Sequence, residues 1–102
     1  MTTEKAKRMC KKADCPITKT AGLLSDVWTI LIIRHLITGA KRFSELEEEL
    51  TGISTRTLTL KLNSLIADTL VKKIGIRYAL SKQGEKLNDI FDAMHAYGEK
   101  YR

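Results

Sequence analysis

Between residues 54 and 63 the chain sets short polar and cationic side chains at helical spacing: Ser54, Thr55, Arg56, Thr59 and Asn63. Hydroxyls, an amide and a guanidinium of this reach can read base edges in a groove about 12 Å wide. A second set, Lys41, Arg42, Lys61, Lys72, Lys73 and Arg77, offers cations to a phosphate backbone. The other reading of both sets is a solvated face. Cys10, Cys15, His35 and His95 match no zinc-ligand spacing. Glu47, Glu48 and Glu49 form a helix surface with no nucleophile nearby. No phosphate loop, glycine-rich cofactor turn or hydrolase elbow occurs. The expectation is therefore no catalytic residue, no metal and no cofactor, and the chain is not read as an enzyme.

The elements that must carry these residues follow from caps, glycines and periodicity. Residues 1–14 are polar, cationic and aperiodic and read as a basic arm. Pro16 suits the first position of a short helix whose one face holds Ile17, Ala21 and Leu24. Asp26 predicts the N-cap of a second helix to about Thr38, apolar on nearly every side and so expected at the centre of the core. Gly39 is expected to stop it. Ser44 with Glu47 predicts a capping box for a third helix, ended by Thr51-Gly52. Ser54 caps a fourth helix to about Thr69, with Leu58, Leu62, Leu65 and Ile66 as its buried stripe and Leu60 turned away from the core. Two strands around Gly75 predict a tight hairpin in which Lys73 and Arg77 share a face. From Ser81 one long helix runs to the C-terminus, with Leu87, Ile90, Phe91, Met94, Tyr97 and Tyr101 in a stripe longer than so small a core needs.

Charge agrees with this division. Lys and Arg number 18 against 12 Asp and Glu, a net +6 over 102 residues. Residues 1–20 carry +4 and residues 51–82 carry +5, whereas residues 41–50 carry −2. A polyanionic partner is favoured. The longest apolar run, Ile30 to Ile33, is too short for a membrane span, and the N-terminus lacks the apolar stretch of a signal peptide, so a cytoplasmic protein without membrane contact is expected.

Two helices joined across Thr51–Ser54 and followed by a basic hairpin make a helix-turn-helix with a wing. On Cys15-Pro16, the Trp28–Arg34 run, Arg42-Phe43-Ser44-Glu45-Leu46, Gly52-Ile53-Ser54, Leu58-Thr59, Leu62, Leu65, Ala67-Asp68, Leu70-Val71 and Tyr78-Ala79-Leu80-Ser81, the chain resembles the HxlR-type winged helix-turn-helix regulators. The resemblance spans roughly residues 15–100 and implies a fold related to the MarR group. It also implies a homodimeric prokaryotic transcription factor whose first and last helices form the dimer interface. Ile17, Leu87, Ile90, Phe91, Met94, Tyr97 and Tyr101 are the candidates for that interface. Several members of the family sense oxidants through a cysteine before this proline, so the resemblance makes Cys15 a redox-sensing candidate. A helix N-terminus with Lys11, Lys12 and Lys19 close in sequence favours its thiolate. The other reading is a small buried thiol.

The sequence departs from the family pattern at Ser25-Asp26-Val27, where a Gly-Gly-Lys is common, in the short wing at Ile74-Gly75, and at Leu60, where a polar residue is common. The fold expected is mainly α with a small β-hairpin, a winged helix-turn-helix over residues 15–102 with a C-terminal dimerisation helix. The function expected is sequence-specific regulation from a pseudo-palindromic operator in double-stranded DNA. The alternative is a winged-helix interaction module, or a DNA-binding protein that does not read sequence.

Overall fold

A computed structural model describes residues 15–102. The arm expected over residues 1–14, with Cys10, Lys11 and Lys12, lies outside the described residues. Pro16 opens α1 (Pro16–Leu23) with Cys15 as its N-cap residue. The chain then turns into α2 (Val27–Ile37), which Asp26 caps: one carboxylate oxygen accepts the Thr29 N–H at 3.0 Å and the other accepts the Thr29 hydroxyl at 3.1 Å. Ile32, Ile33 and Leu36 form the middle of the core, as periodicity predicts. The helix is not buried all round, however. Val27 is 67% exposed and Leu31 36%, because no element among the described residues covers that flank. Gly39, at φ +141°, turns the chain out of the helix.

Residues Lys41–Arg42 are not a plain link. They form β1, which pairs antiparallel with β3 (Arg77–Leu80), while β2 (Val71–Ile74) pairs with the other edge of β3. The hairpin is thus part of a three-stranded sheet of order β1-β3-β2. This pairing also moves the start of α3 (Phe43–Glu49). Arg42, held extended by β1, becomes the N-cap residue, and Glu45 accepts its backbone N–H at 2.8 Å. The capping box expected from Ser44 and Glu47 does not form, since the N-cap falls two residues earlier, at Arg42. Leu46 and Leu50 point inward.

Gly52, at φ +93°, makes the turn into α4 (Thr55–Ala67), capped by Ser54 as expected. Leu58, Leu62 and Leu65 are buried against α2 and the sheet. The helix stops two residues before the expected Thr69, which takes the left-handed conformation at φ +61° and lets the Leu70 N–H reach the Leu65 carbonyl. The β2–β3 turn is two residues long, with positive φ only at its first position, Gly75. That is the type II′ arrangement glycine suits best.

The single C-terminal helix expected from Ser81 is two. Ser81 caps α5 (Lys82–Glu85), the chain passes through a turn at Lys86–Leu87, and α6 (Asn88–Tyr101) follows. Close packing explains the break. Gly84 lies so near Leu70 that a Cβ there would stand 2.4 Å from the Leu70 carbonyl oxygen. Leu87, whose N–H bonds back only three residues to Gly84, is turned into the core. Of α6 itself only Phe91 is buried. Among the described residues no single helix is long and apolar enough to cross a membrane.

Candidate nucleic-acid interface

The outer side of α4 is built on intramolecular hydrogen bonds that engage several of the expected base-reading groups. The Ser54 hydroxyl accepts the Thr57 N–H at 3.0 Å and donates to the Thr57 hydroxyl at 2.9 Å. Thr55 donates to the Glu47 carboxylate at 2.6 Å, which fixes α3 against the start of α4. The Thr59 hydroxyl donates back to the Thr55 carbonyl at 2.8 Å. Arg56 and Asn63 are exposed and hold no hydrogen bond or ion pair among the described residues. Leu60 stands between them, 56% exposed.

The expected phosphate set divides by sheet face. Directly opposed residues in an antiparallel pair project from the same side. The register sets Ile74 opposite Arg77, Arg77 opposite Arg42, and Lys72 opposite Ala79. Arg42, Lys72 and Arg77 therefore share the outer face. Lys73 faces Tyr78 on the other side, with its ammonium 5.5 Å from the ring centre, so the expected common face for Lys73 and Arg77 does not occur. Lys41, opposite Tyr78 on that inner side, donates to Glu49 at 3.1 Å. Glu49 also accepts from His35 at 2.8 Å, and Lys41 first, then His35, holds its carboxyl below the ordinary range. Arg77 lies 3.5 Å from Glu45.

Lys61 is turned to the flank. Its ammonium sits 2.6 Å from the Asp26 carboxylate, joining α4 to the N-cap of α2. Nothing in a 35-residue separation signals this pair. The shift of Asp26 below its ordinary value comes first from the Lys61 hydrogen bond, opposed by desolvation and aided by the Thr29 N–H.

The expected interface residues also separate. Leu87 and Phe91 belong to the chain's own core at 8% and 2% exposure. Ile17, Ile90, Met94, Tyr97 and Tyr101 remain outside, between 39% and 62% exposed. Ile90, Met94 and Tyr97 line an open groove of about 770 Å³ along α6. Ile90 also borders a hollow with Ile17, Ala21 and Leu24 of the α1 segment, so the apolar face is continuous across both helices. The Tyr97 and Tyr101 rings pack tilted at 45°, 4.9 Å between centres. Cys15, just before this face, is 4% exposed. Among the described residues no group of three or more His, Cys, Asp or Glu is arranged to hold a metal ion.

Comparison with known proteins agrees with this geometry. The family model described as HxlR-like helix-turn-helix matches residues 23–102. The HTH-type transcriptional regulator YdeP of Bacillus subtilis is 32% identical over 95 residues, covering 86% of this chain and 74% of YdeP. The quinone-bound form of YodB from B. subtilis superposes with a TM-score of 0.80 at 30% identity, covering 83% of this chain and 97% of YodB. The redox regulator HypR in its oxidised form gives a TM-score of 0.77 at 32% identity, over 86% of this chain and 98% of HypR.

Proposed function

The chain belongs to the HxlR-like helix-turn-helix family of transcriptional regulators, and from that premise we propose that it acts as a homodimer that reads a pseudo-palindromic operator. The observation that carries the reading is the exposed side of α4 together with the cationic outer face of the sheet, whose strand β2 packs on α4. Arg56 and Asn63 are exposed and without an intramolecular partner among the described residues. They are the base-reading groups, with Thr59 and Thr55 at their margin and Ser54 holding the helix start. Arg42, Lys72 and Arg77 line one face within reach of a phosphate backbone; Lys73 contributes from the sheet edge, and Lys41 and Lys61 act through their carboxylate partners.

Dimerisation runs through α1 and α6. Support comes from Ile17, Ile90, Met94, Tyr97 and Tyr101, large apolar side chains that stay exposed together along α1 and α6, as at a protein–protein contact. Two-fold symmetry then sets half-sites about 10 bp, or a multiple of that, apart. The place of such a protein is the cytoplasm of a prokaryote, where its DNA lies. Selection from random oligonucleotides tests the reading: a two-fold-related motif supports it, and failure to enrich any motif favours an interaction module or a binder that does not read sequence.

A thiol response through Cys15 is the finer part of the proposal. Two relatives in fold are named for a bound quinone and for redox regulation. Cys15 sits at the N-cap of α1, beside the dimer face. Joining two such thiols as a disulfide transfers two electrons to an oxidant, releases two protons and draws the α1 start towards its partner. The burial of Cys15 requires the α1 start to open first. Loss of operator binding on diamide treatment, absent in Cys15→Ser, is the expected result. A variant that responds like the parent assigns Cys15 a packing role.

A further inference from the structure

Leu60 is out of place by every packing rule that the rest of α4 obeys. Leu58, Leu62 and Leu65 are buried at 0–2%, and Leu60 on the same helix is 56% exposed. Helical spacing puts Arg56, Leu60, Asn63 and Ala67 on one ridge, at steps of four, three and four, opposite the buried stripe. All four are exposed. Leu60 is therefore the apolar centre of the ridge whose polar members are Arg56 and Asn63. The hydroxyls of Thr55 and Thr59 lie to one side and donate within the chain.

A solvent-exposed leucine between two base-reading groups has one natural counterpart in a major groove. Of the four bases only thymine carries an apolar group there, its 5-methyl. We propose that Leu60 is a specificity-determining residue that packs on a thymine methyl within each half-site, between the base pairs contacted by Arg56 and Asn63. The inference rests on the operator-reading function above and names the base that function selects. Charge complementarity brings α4 to DNA, since residues 51–82 carry +5, and Leu60 then supplies contact area that water alone would otherwise cover. Val27 and Trp28 flank Leu60 in a shallow hollow that Thr57 and the Asp26–Lys61 ion pair complete, so the apolar contact is bordered by polar groups.

The test uses the full chain and the site enriched from random oligonucleotides. Each thymine is replaced in turn by deoxyuridine, which removes the methyl and leaves pairing intact, and affinity is read by fluorescence anisotropy at fixed salt. One symmetry-related thymine per half-site is expected to weaken binding about fourfold on replacement, the transfer value of one buried methyl-sized group. Leu60→Ala is expected to melt with the parent, to bind the thymine site more weakly by a similar factor, and to bind thymine and deoxyuridine sites alike. An enriched site at which every thymine tolerates replacement overturns this inference alone. So does a Leu60→Ala protein that keeps the full penalty, or that binds the thymine site as tightly as the parent; the last result leaves the hollow by Val27 to a protein partner. No enriched site overturns the operator reading and this inference together.

Discussion

Lys61 Nζ lies 2.6 Å from Asp26 Oδ2, and the pair ties the middle of the candidate recognition helix to the first turn of the central helix. Asp26 thereby does two jobs, since the same carboxylate accepts the Thr29 N–H. The position of α4 relative to the core is set by an ion pair on its flank as well as by the leucine stripe beneath it.

The pair makes stability depend on acid. Asp26 is lowered from its ordinary value of 3.8, chiefly by the Lys61 hydrogen bond. A carboxyl lowered in the folded state stabilises above its unfolded value, and that contribution disappears as pH falls through the folded one. Asn is as good a cap as Asp, so Asp26→Asn removes the charge and keeps the cap. With both side chains about one-third exposed, the destabilisation near neutrality is expected to stay below about 1 kcal/mol. Urea melts should show the gap between Asp26→Asn and parent closing as pH drops below 3.8. A gap that persists unchanged at lower pH would assign the effect to the cap and not to the ion pair.

Gly84 is the tightest glycine seat among the described residues. A Cβ there meets the Leu70 carbonyl oxygen at 2.4 Å and the Leu80 side chain at 3.2 Å. The carbonyl cannot swing away, because it accepts the Ser81 N–H at 2.9 Å. Gly84→Ala is expected to cost about 1–3 kcal/mol by overpacking, although alanine in an open helix position normally stabilises. A denaturation midpoint at or above the parent's would refute the contact.

What the chain discloses on reading is whatever local chemistry determines. The Asp26 and Ser54 caps, the turns at Gly39, Gly52 and Gly75, and the stripe of Leu58, Leu62 and Leu65 depend on neighbours within a turn or two, and all are found. β1 is two residues long and has no pattern of its own; only β3, far along the chain, makes it a strand. A register difference of one residue reverses a strand's faces, which is why Lys73 and Arg77 part company. The break at Lys86–Leu87 has no helix-breaking residue to announce it and arises from the close seat of Gly84. Of the candidate site, the recognition helix and the cations were legible by type and spacing. Which hydroxyls and ammoniums are engaged within the chain was not, because their partners lie on other elements.

Core and surface residues of α6 should separate cleanly. Phe91 is buried at 2%, so Phe91→Ala is expected to destabilise each protomer by about 3–5 kcal/mol. Met94 and Tyr97 are 48% and 62% exposed. Met94→Glu with Tyr97→Glu should leave the circular dichroism spectrum and the helix content of the chain intact while shifting sedimentation from dimer to monomer. A double variant that still sediments with the parent would remove α6 from the interface.

Salt dependence distinguishes cations that meet phosphate from those that hold the fold. Removing one cation from a phosphate lowers the slope of log K against log salt by about 0.9. Arg42 and Lys72 share the outer sheet face and have no carboxylate partner among the described residues, so Arg42→Ala and Lys72→Ala should each lower the slope by about one. Lys61 is neutralised by Asp26 at 2.6 Å. Lys61→Met should therefore leave the slope unchanged, even where it weakens binding by loosening α4. Affinity measured at four or five salt concentrations separates the two effects, since a displaced helix lowers every point equally and a phosphate left without its cation flattens the line. A Lys61→Met line flattened as much as that of Lys72→Ala would mean that DNA draws Lys61 away from Asp26, and the flank of α4 would then belong to the interface.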